Sequence, residues 1–150
     1  MFKSIRALAA GALIGFAALT AAAEDPPTPT TAPKGVAIVT PEQAQALVGK
    51  AQFFDMRAAV NYGKGHVKGA TALPYDQKSE KREDFDATKD RFDMTKLPKD
   101  KAALLVFYSD GPTGWKSYKA AVLTARAGYT NVKWMREGTA GWTAKKLPLE

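Results

Sequence analysis

Cysteine is absent from this 150-residue chain, and its absence excludes several kinds of chemistry. No disulfide can support the fold, no thiolate can act as a nucleophile, and no cysteine-ligated metal site can form. Histidine is nearly as scarce, because His66 is the single imidazole. The fold must therefore be stabilised by the burial of Phe, Trp, Leu and Val side chains.

Long runs of one charge are also lacking. The chain has 22 Lys and Arg against 15 Asp and Glu, for a net charge of +7, but the two signs are interspersed, as in "KSEKREDFDATKDRFD". This pattern is typical of a solvated surface, or of a surface that contacts a protein partner, and it argues against nucleic-acid binding. The acids also lack the Asp-x-Asp-x-Asp-Gly spacing of a calcium loop. We expect no metal and no cofactor.

The amino-terminal residues have the pattern of a targeting segment. Lys3 and Arg6 precede the apolar run "ALAAGALIGFAALT", and Ala21 and Ala23 supply the small residues of a cleavage site. The run is shorter than the about 20 apolar residues of a membrane-spanning helix. The sequence therefore predicts a signal peptide over residues 1–23 and a periplasmic or secreted protein without a stable membrane span. A retained amino-terminal anchor is the alternative.

The rest of the chain predicts one linker and one domain. Residues 24–35 are dense in Pro and Thr, which predicts a disordered linker. Residues 36–150 have the length of a single domain, in which strands alternate with helices. The predicted strands are "GVAIVT", "AQFFDMR", "TALP", "AALLVFY" and "NVKWM". The predicted helices lie in "TPEQAQALVGK", "AAVNYGKGHVKGA", residues 86–94, "GWKSYKAAVLTARAG" and "GTAGWTAKKLP".

This alternation predicts an α/β domain with a mostly parallel sheet. Sites in such sheets lie beyond the carboxyl ends of the strands. Asp55 and Arg57 lie at the carboxyl end of one predicted strand, and Ser109 begins the Gly- and Pro-rich loop of "VFYSDGPTGWKSYKAA". We therefore expect these residues to meet at one edge of the sheet. Trp134 and Trp142 are interpreted as core residues.

Two stretches resemble the rhodanese-like family of sulfurtransferases. "FFDMRAAVNYGKGHVKGATALP" is similar to its first half, with Asp-x-Arg after a strand and then Gly-His-x-x-Gly-Ala. "LLVFYSDGPTGWKSYKAAVLTARAGYTNVKWMREGTAGW" is similar to its second half, with a strand that enters the catalytic loop. The resemblance implies a three-layer α/β domain, in which a mostly parallel five-stranded sheet has helices on both faces.

The resemblance also implies that the reactive atom is missing. Active members have a cysteine that carries a persulfide directly after that strand, where this chain has Ser109. The loop is longer than the common one and resembles a subgroup with a Cys-x4-Cys-Trp loop, whose second cysteine corresponds to Gly114, before Trp115. Both expected thiols are therefore missing. Natural loss and engineered removal are both compatible with this pattern.

A serine at this position does not imply a serine nucleophile. A hydroxyl needs an adjacent base, and no ordered acid–base–nucleophile set is visible in the sequence. We therefore build no triad from Ser109, His66 and Asp55. His66 is interpreted as a structural imidazole near a turn. Asp55 is interpreted as a structural acceptor for loop N–H groups or for Arg57.

The loop could still bind an anion, since glycines and a helix start can direct N–H groups toward one point. An equally weighted alternative is that Ser109 and Asp110 only cap the loop and the helix. The candidate anion-binding residues are Ser109, Asp110, Gly111, Thr113, Gly114, Trp115, Lys116, Ser117 and Arg57.

The function predicted from these observations is that of an exported rhodanese-like module without sulfurtransferase activity. It would bind a small oxyanion or a periplasmic protein. One alternative is a divergent sulfurtransferase, or a phosphatase-like enzyme, that uses the same loop. Another is an interaction protein with no small ligand.

Overall fold

The computed structural model describes residues 11–12, 15 and 24–150. Apart from residues 11, 12 and 15, the predicted signal peptide lies outside the described residues, and so does its cleavage site. Of the helices in the described part of the chain, none combines the length and the apolar character needed to cross a membrane.

The centre of the domain is a five-stranded sheet in which all strands are parallel, with the order β1-β5-β4-β2-β3. The apolar strand "LLVFY" supplies β4, which lies between β5 and β2. Buried central strands of parallel sheets have this continuous apolar character. The strands are β1 (Val36–Ile38), β2 (Gln52–Asp55), β3 (Thr71–Ala72), β4 (Leu105–Tyr108) and β5 (Val132–Met135).

Within residues 24–150, four α-helices connect and cover the strands: α1 (Pro41–Gln45), α2 (Ala59–Lys64), α3 (Trp115–Arg126) and α4 (Gly138–Ala144). Thr40 caps α1 in a capping box with Gln43, and Pro41 occupies the first turn. The helix predicted over residues 86–94 is wrong. Short 3-10 helices lie at Ala87–Lys89 and Met94–Lys96 instead.

The two faces of the sheet bury two separate apolar clusters. Because side chains alternate along a strand, Phe54 and Phe107 point to one face with α3, whereas Phe53 and Val106 point to the other face. Trp134 packs in the first cluster and Trp142 of α4 in the second, and both are buried. The predicted three-layer α/β architecture is therefore confirmed.

Residues 24–35, for which the composition predicts a disordered linker, contact the domain through their backbone. They form no helix or strand, yet their backbone is hydrogen-bonded to the domain. The N–H of buried Thr28 donates to the Pro112 carbonyl at 2.8 Å, and the indole Nε1 of Trp115 donates to the Pro26 carbonyl at 2.7 Å. The Arg136 guanidinium donates to the carbonyls of Thr28 and Pro29. The segment forms no regular secondary structure, so the domain supplies hydrogen-bond partners for its backbone. These partners are the Pro112 carbonyl and the side chains of Trp115 and Arg136.

A fully buried lysine attaches the charged segment 75–97 to α3. Lys119 Nζ donates to Ser79 Oγ at 2.7 Å and lies 3.7 Å from Asp90 Oδ2. Asp90 also accepts hydrogen bonds from the Tyr75 hydroxyl and from Ser79. Burial lowers the pKa of Lys119, and the charge of Asp90 opposes that shift. The segment therefore has a buried ionic attachment that its exposed, mixed-charge sequence does not indicate.

Asp90→Asn should lower the free energy of unfolding at pH 7 by about 3–5 kcal/mol, because Lys119 then loses its buried charge partner. Burial alone would raise the pKa of Asp90, but the hydrogen bonds from Ser79 and Tyr75 hold it below its ordinary value of 3.8. The contribution of the carboxylate is therefore present above that value and is lost as the pH falls below it. Urea unfolding at a series of pH values should show the deficit of the variant shrinking in acid.

Asp93→Asn is the matched control, because Asp93 is exposed and only caps a 3-10 helix. Its effect on stability should be small, because asparagine caps a helix about as well as aspartate does. Equal losses in the two variants, or a deficit for Asp90→Asn that does not change with pH, would contradict the buried pair.

Candidate functional site

The register of β2 and β4 brings two polar strand ends together. Asp55 pairs with Tyr108, the last residue of β4, so the chain leaves both strands at the same edge of the sheet. Asp55, Tyr108 and Ser109 are all buried there. The structure thus places Asp55, Arg57 and the start of the loop at one edge of the sheet.

Asp55 is the acceptor at the centre of a buried network. Its carboxylate accepts from the Arg57 backbone N–H at 3.0 Å, from Arg57 Nη2 at 2.7 Å and from the Tyr108 hydroxyl at 2.9 Å. Arg57 Nη2 also donates to the Gly65 carbonyl at 2.7 Å, and the Tyr108 hydroxyl accepts from the Val67 N–H at 3.1 Å. The network joins β2 and β4 to the Gly-His segment, and the position of Asp55 is that of a structural acceptor.

The network shifts the pKa values of Tyr108 and Arg57. Burial raises the pKa of the Tyr108 hydroxyl, and the charge of Asp55 raises it further, so Tyr108 remains a donor. Burial works against the charged guanidinium of Arg57, but the hydrogen bond and charge of Asp55 leave its pKa above the ordinary value. Arg57 therefore remains a cation, although most of its charge is compensated by Asp55.

The Ser109 hydroxyl lies inside the loop, with 1% of the residue exposed. Ser109 Oγ donates to the Gly114 carbonyl at 3.1 Å and lies 2.8 Å from Ser117 Oγ. Ser117 Oγ is in turn 3.2 Å from the same carbonyl and accepts from the Trp134 indole at 3.0 Å. Two hydroxyls therefore meet at one backbone carbonyl, and this arrangement favours a neutral donor at position 109.

The amino terminus of α4 closes the other side of the loop. The N–H groups of Thr139 and Ala140 donate to the carbonyls of Ser109 and Asp110 at 3.0 and 2.9 Å. Gly138 has a φ of +57°, and a Cβ there would lie 2.5 Å from the Ser109 carbonyl oxygen. Only glycine allows this close approach. The N–H groups that start α4 are therefore occupied by loop carbonyls.

The predicted anion-binding residues are distributed over four environments. Ser109, Gly114 and Ser117 form the buried hydroxyl cluster, and Gly111 is buried beneath α4. Trp115 contacts the amino-terminal segment through Pro26. Thr113 is exposed and Lys116 is partly exposed. Arg57 and Asp110 lie elsewhere, on the wall of an open cleft.

That cleft lies between the loop, α2 and α4 and has a volume of about 310 Å³. Arg57 and Lys64 supply positive charge, and Asp110 supplies one carboxylate. Thr139 and Thr143 also line the cleft, but their hydroxyls donate to backbone carbonyls. Of the nine predicted residues, only Arg57 and Asp110 line it. Lys64 was missed, because a lysine in the last turn of a short helix is ordinarily a solvated surface residue.

His66 is engaged with the carboxyl-terminal residues rather than with the loop. Its Nδ1 lies 3.0 Å from the Tyr62 carbonyl, and its ring stacks on Tyr62 with centroids 3.8 Å apart. Its backbone exchanges two hydrogen bonds with Glu150. Within residues 24–150 no hydrogen bond joins Ser109 to His66 or to Asp55, and the described residues contain no group of three or more acidic or histidine side chains that could hold a metal ion.

Tyr108 is the other functional residue that the sequence interpretation missed. It belongs to the apolar run "LLVFY", and its hydroxyl matters only because the strand register sets it opposite Asp55. The available signal was the tyrosine at the end of a buried strand, since a buried tyrosine hydroxyl usually has a hydrogen-bond partner.

Comparison with known proteins agrees with this geometry. Uncharacterized protein YibN of Escherichia coli is 29% identical over 117 residues, which is 76% of this chain and 72% of that protein. The BH2092 protein of Bacillus halodurans superposes with a TM-score of 0.58 at 20% identity over 76% of each chain. Thiosulfate sulfurtransferase from Pseudomonas aeruginosa superposes with a TM-score of 0.57 at 22% identity, over 77% of this chain and 20% of that chain.

At these identities, the solved structures establish the fold and nothing more. The family model described as rhodanese-like domain matches residues 40–145, which include every strand except β1 and all four α-helices. The matched range includes Ser109 at the position where the family's catalytic cysteine is expected. The chain belongs to the rhodanese-like domain family and lacks that cysteine.

Proposed function

We propose that this protein is an exported rhodanese-like domain that does not transfer sulfur and that acts as an accessory module binding a small oxyanion. The observation that carries the proposal is the state of Ser109, which is 1% exposed and donates its hydroxyl to a backbone carbonyl. The expectation of export rests on the predicted signal peptide over residues 1–23.

The surroundings of Ser109 oppose sulfur chemistry in two ways. A serine oxygen carries no sulfane sulfur and needs a base to become a nucleophile, whereas its partners here are a carbonyl and a second hydroxyl. A carbonyl oxygen 3.1 Å away also favours a protonated group at this point. A thiol at position 109 would therefore lack the N–H donors that stabilise a thiolate.

The second expected thiol position is closed to any side chain. A Cβ on Gly114 would lie 2.4 Å from Ser109 Oγ and 2.8 Å from the Gly111 carbonyl oxygen. The Gly111 carbonyl also accepts the Gly114 N–H at 2.8 Å, which tightens the turn. The loop is thus packed as a structural turn at both positions where thiols are expected.

The cleft beside the loop offers a better position for an oxyanion than the loop itself. Arg57 and Lys64 both line this cleft, whereas in the loop two serine hydroxyls are directed at a carbonyl. Asp55 compensates most of the Arg57 charge, and Asp110 adds a carboxylate to the wall. We therefore expect weak binding that depends mainly on Lys64.

Purified protein should show no transfer of sulfur from thiosulfate to cyanide. Ser109→Cys should not restore the transfer, because its thiol would be buried against the Gly114 carbonyl. The thiol should react with a disulfide reagent at least about tenfold more slowly than an exposed thiol. The reaction with 5,5′-dithiobis(2-nitrobenzoate), followed over a pH series, measures both the rate and the thiol pKa.

Thr130→Cys is the matched control, because Thr130 is exposed and precedes β5 at the opposite edge of the sheet. Sulfur transfer by the unmodified protein would refute the proposal in favour of a divergent sulfurtransferase. A fast, low-pKa thiol in Ser109→Cys would show that the loop still stabilises an anion.

Gly114→Ala should destabilise the protein by about 1–3 kcal/mol, because the added methyl overlaps the Ser109 hydroxyl and the Gly111 carbonyl. Gly63→Ala is the control, since a Cβ at this position of α2 meets nothing within 4 Å. That change should stabilise the protein by about 0.5–1 kcal/mol. Urea unfolding of both variants measures the two changes in the free energy of unfolding. Equal changes would show that the loop is not tightly packed.

Thiosulfate, sulfate and phosphate should shift the amide resonances of Asp110, Thr139 and Ala140 saturably at millimolar concentration. Lys64→Gln should weaken the binding by about three- to tenfold. Lys50→Gln is the control, because Lys50 is exposed and precedes β2 at the opposite edge of the sheet. This variant should bind the anions as the unmodified protein does. Shifts that do not saturate, or that are equal in both variants, would remove the oxyanion from the proposal and leave a protein partner.

A further inference from the structure

A second cavity lies along α3, away from the Ser109 loop, and has a volume of about 460 Å³. This volume falls within the range of about 300–1,000 Å³ that is typical of small-molecule sites. Its floor is apolar and is formed by Tyr118, Val122 and Ala125 on α3, with Pro33 from the amino-terminal segment on one side. The floor therefore suits an apolar body rather than an inorganic ion.

Tyr118 gives this cavity a polar group with no partner in the protein. The residue is 3% exposed, and its ring is held edge-on between Trp115 and Trp134, with centroids 5.2 and 5.3 Å away. Among residues 24–150 its hydroxyl has no hydrogen-bond partner, and it is not one of the buried side-chain atoms left without one, so this oxygen is accessible. An accessible tyrosine hydroxyl on the wall of a cavity is a donor available to a ligand.

The rim of the cavity has an excess of positive charge. Lys34 and Arg126 lie there as exposed cations, and Glu83 is the one carboxylate. Burial raises the pKa of Tyr118, Glu83 raises it further and Arg126 opposes the increase, so the hydroxyl stays protonated. A ligand that matches this lining has an apolar body on the floor and one anionic group near the rim.

We propose that the cavity between α3, residues 33–35 and Glu83 is a binding site for a small carboxylate with an apolar body. The carboxylate accepts the Tyr118 hydroxyl hydrogen bond and lies near Lys34 and Arg126, and the apolar body packs on Val122 and Ala125. This site is separate from the Arg57–Lys64 cleft, so the two proposals can fail independently.

The probe is 4-phenylbutyrate, with 4-phenylbutanol as its uncharged counterpart. Both are titrated into the unmodified protein while the amide resonances of Gly35, Val122 and Ala125 and the tryptophan fluorescence are recorded. The fluorescence reports the site because two tryptophans contact Tyr118. The acid should bind saturably and about tenfold more tightly than the alcohol. Excess sulfate should not displace it, since sulfate has no apolar body.

Three variants test the parts of the site separately. Ala125→Leu fills the floor and should abolish the saturable shift. Tyr118→Phe keeps the ring and removes the donor, and Lys34→Gln removes one rim charge, so each should weaken binding by about three- to tenfold. Lys50→Gln is the control for loss of a positive charge and should bind as the unmodified protein does.

Two results would overturn the proposal. One is equal binding of the acid and the alcohol, or no saturable shift with either compound. The other is unchanged affinity in Ala125→Leu or in Tyr118→Phe, each with a thermal transition that shows it to be folded. Tyr118→Phe keeps the test decisive if Ala125→Leu does not fold, because removing one unpaired hydroxyl leaves the core contacts in place.

Discussion

A carboxylate without contact with water must be satisfied entirely by the protein, and Asp55 sets this constraint at the carboxyl edge of the sheet. Its oxygens are met by a guanidinium, a backbone N–H and the Tyr108 hydroxyl. Arg57 lies two residues further along the chain, and Tyr108 lies on the neighbouring strand. The register of β2 and β4 must therefore be kept for the carboxylate to retain both partners. Arg57 and Tyr108 then extend the network to Gly65 and Val67 and so position the Gly-His segment.

The loop after β4 starts from this fixed edge, and the chemistry it can support follows from its hydrogen bonds. In a loop that stabilises an anion, donors converge on one point. Here the hydroxyls of Ser109 and Ser117 are both directed at the Gly114 carbonyl. The N–H groups at the start of α4 donate to the carbonyls of Ser109 and Asp110. The serine is therefore part of the loop's internal packing, and the positive charge of this region lies in the cleft, on Lys64 and on the largely compensated Arg57.

Much of the fold could be predicted from the sequence because its strands are short, apolar and separated by amphipathic helices. The prediction failed where side chains compete with backbone structure. Asp86 and Asp93 accept N–H groups two residues later, so residues 86–94 form no α-helix but contain one short 3-10 helix and the start of another. Lys119 looks like a surface cation, and only tertiary packing buries it. Of the candidate site, Asp55 and Ser109 follow from their places after strands, whereas the roles of Tyr108 and Lys64 depend on register and on helix orientation.

The two outermost strands of the sheet bear on how this chain, which has no disulfide, avoids pairing with other chains. The outermost strands, β1 and β3, are three and two residues long. Unpaired backbone groups on a long outer strand act as a template for another chain, and short outer strands offer few of them. The sheet therefore exposes little backbone to intermolecular strand addition, and this protection comes from the length of its outer strands rather than from a covalent cross-link.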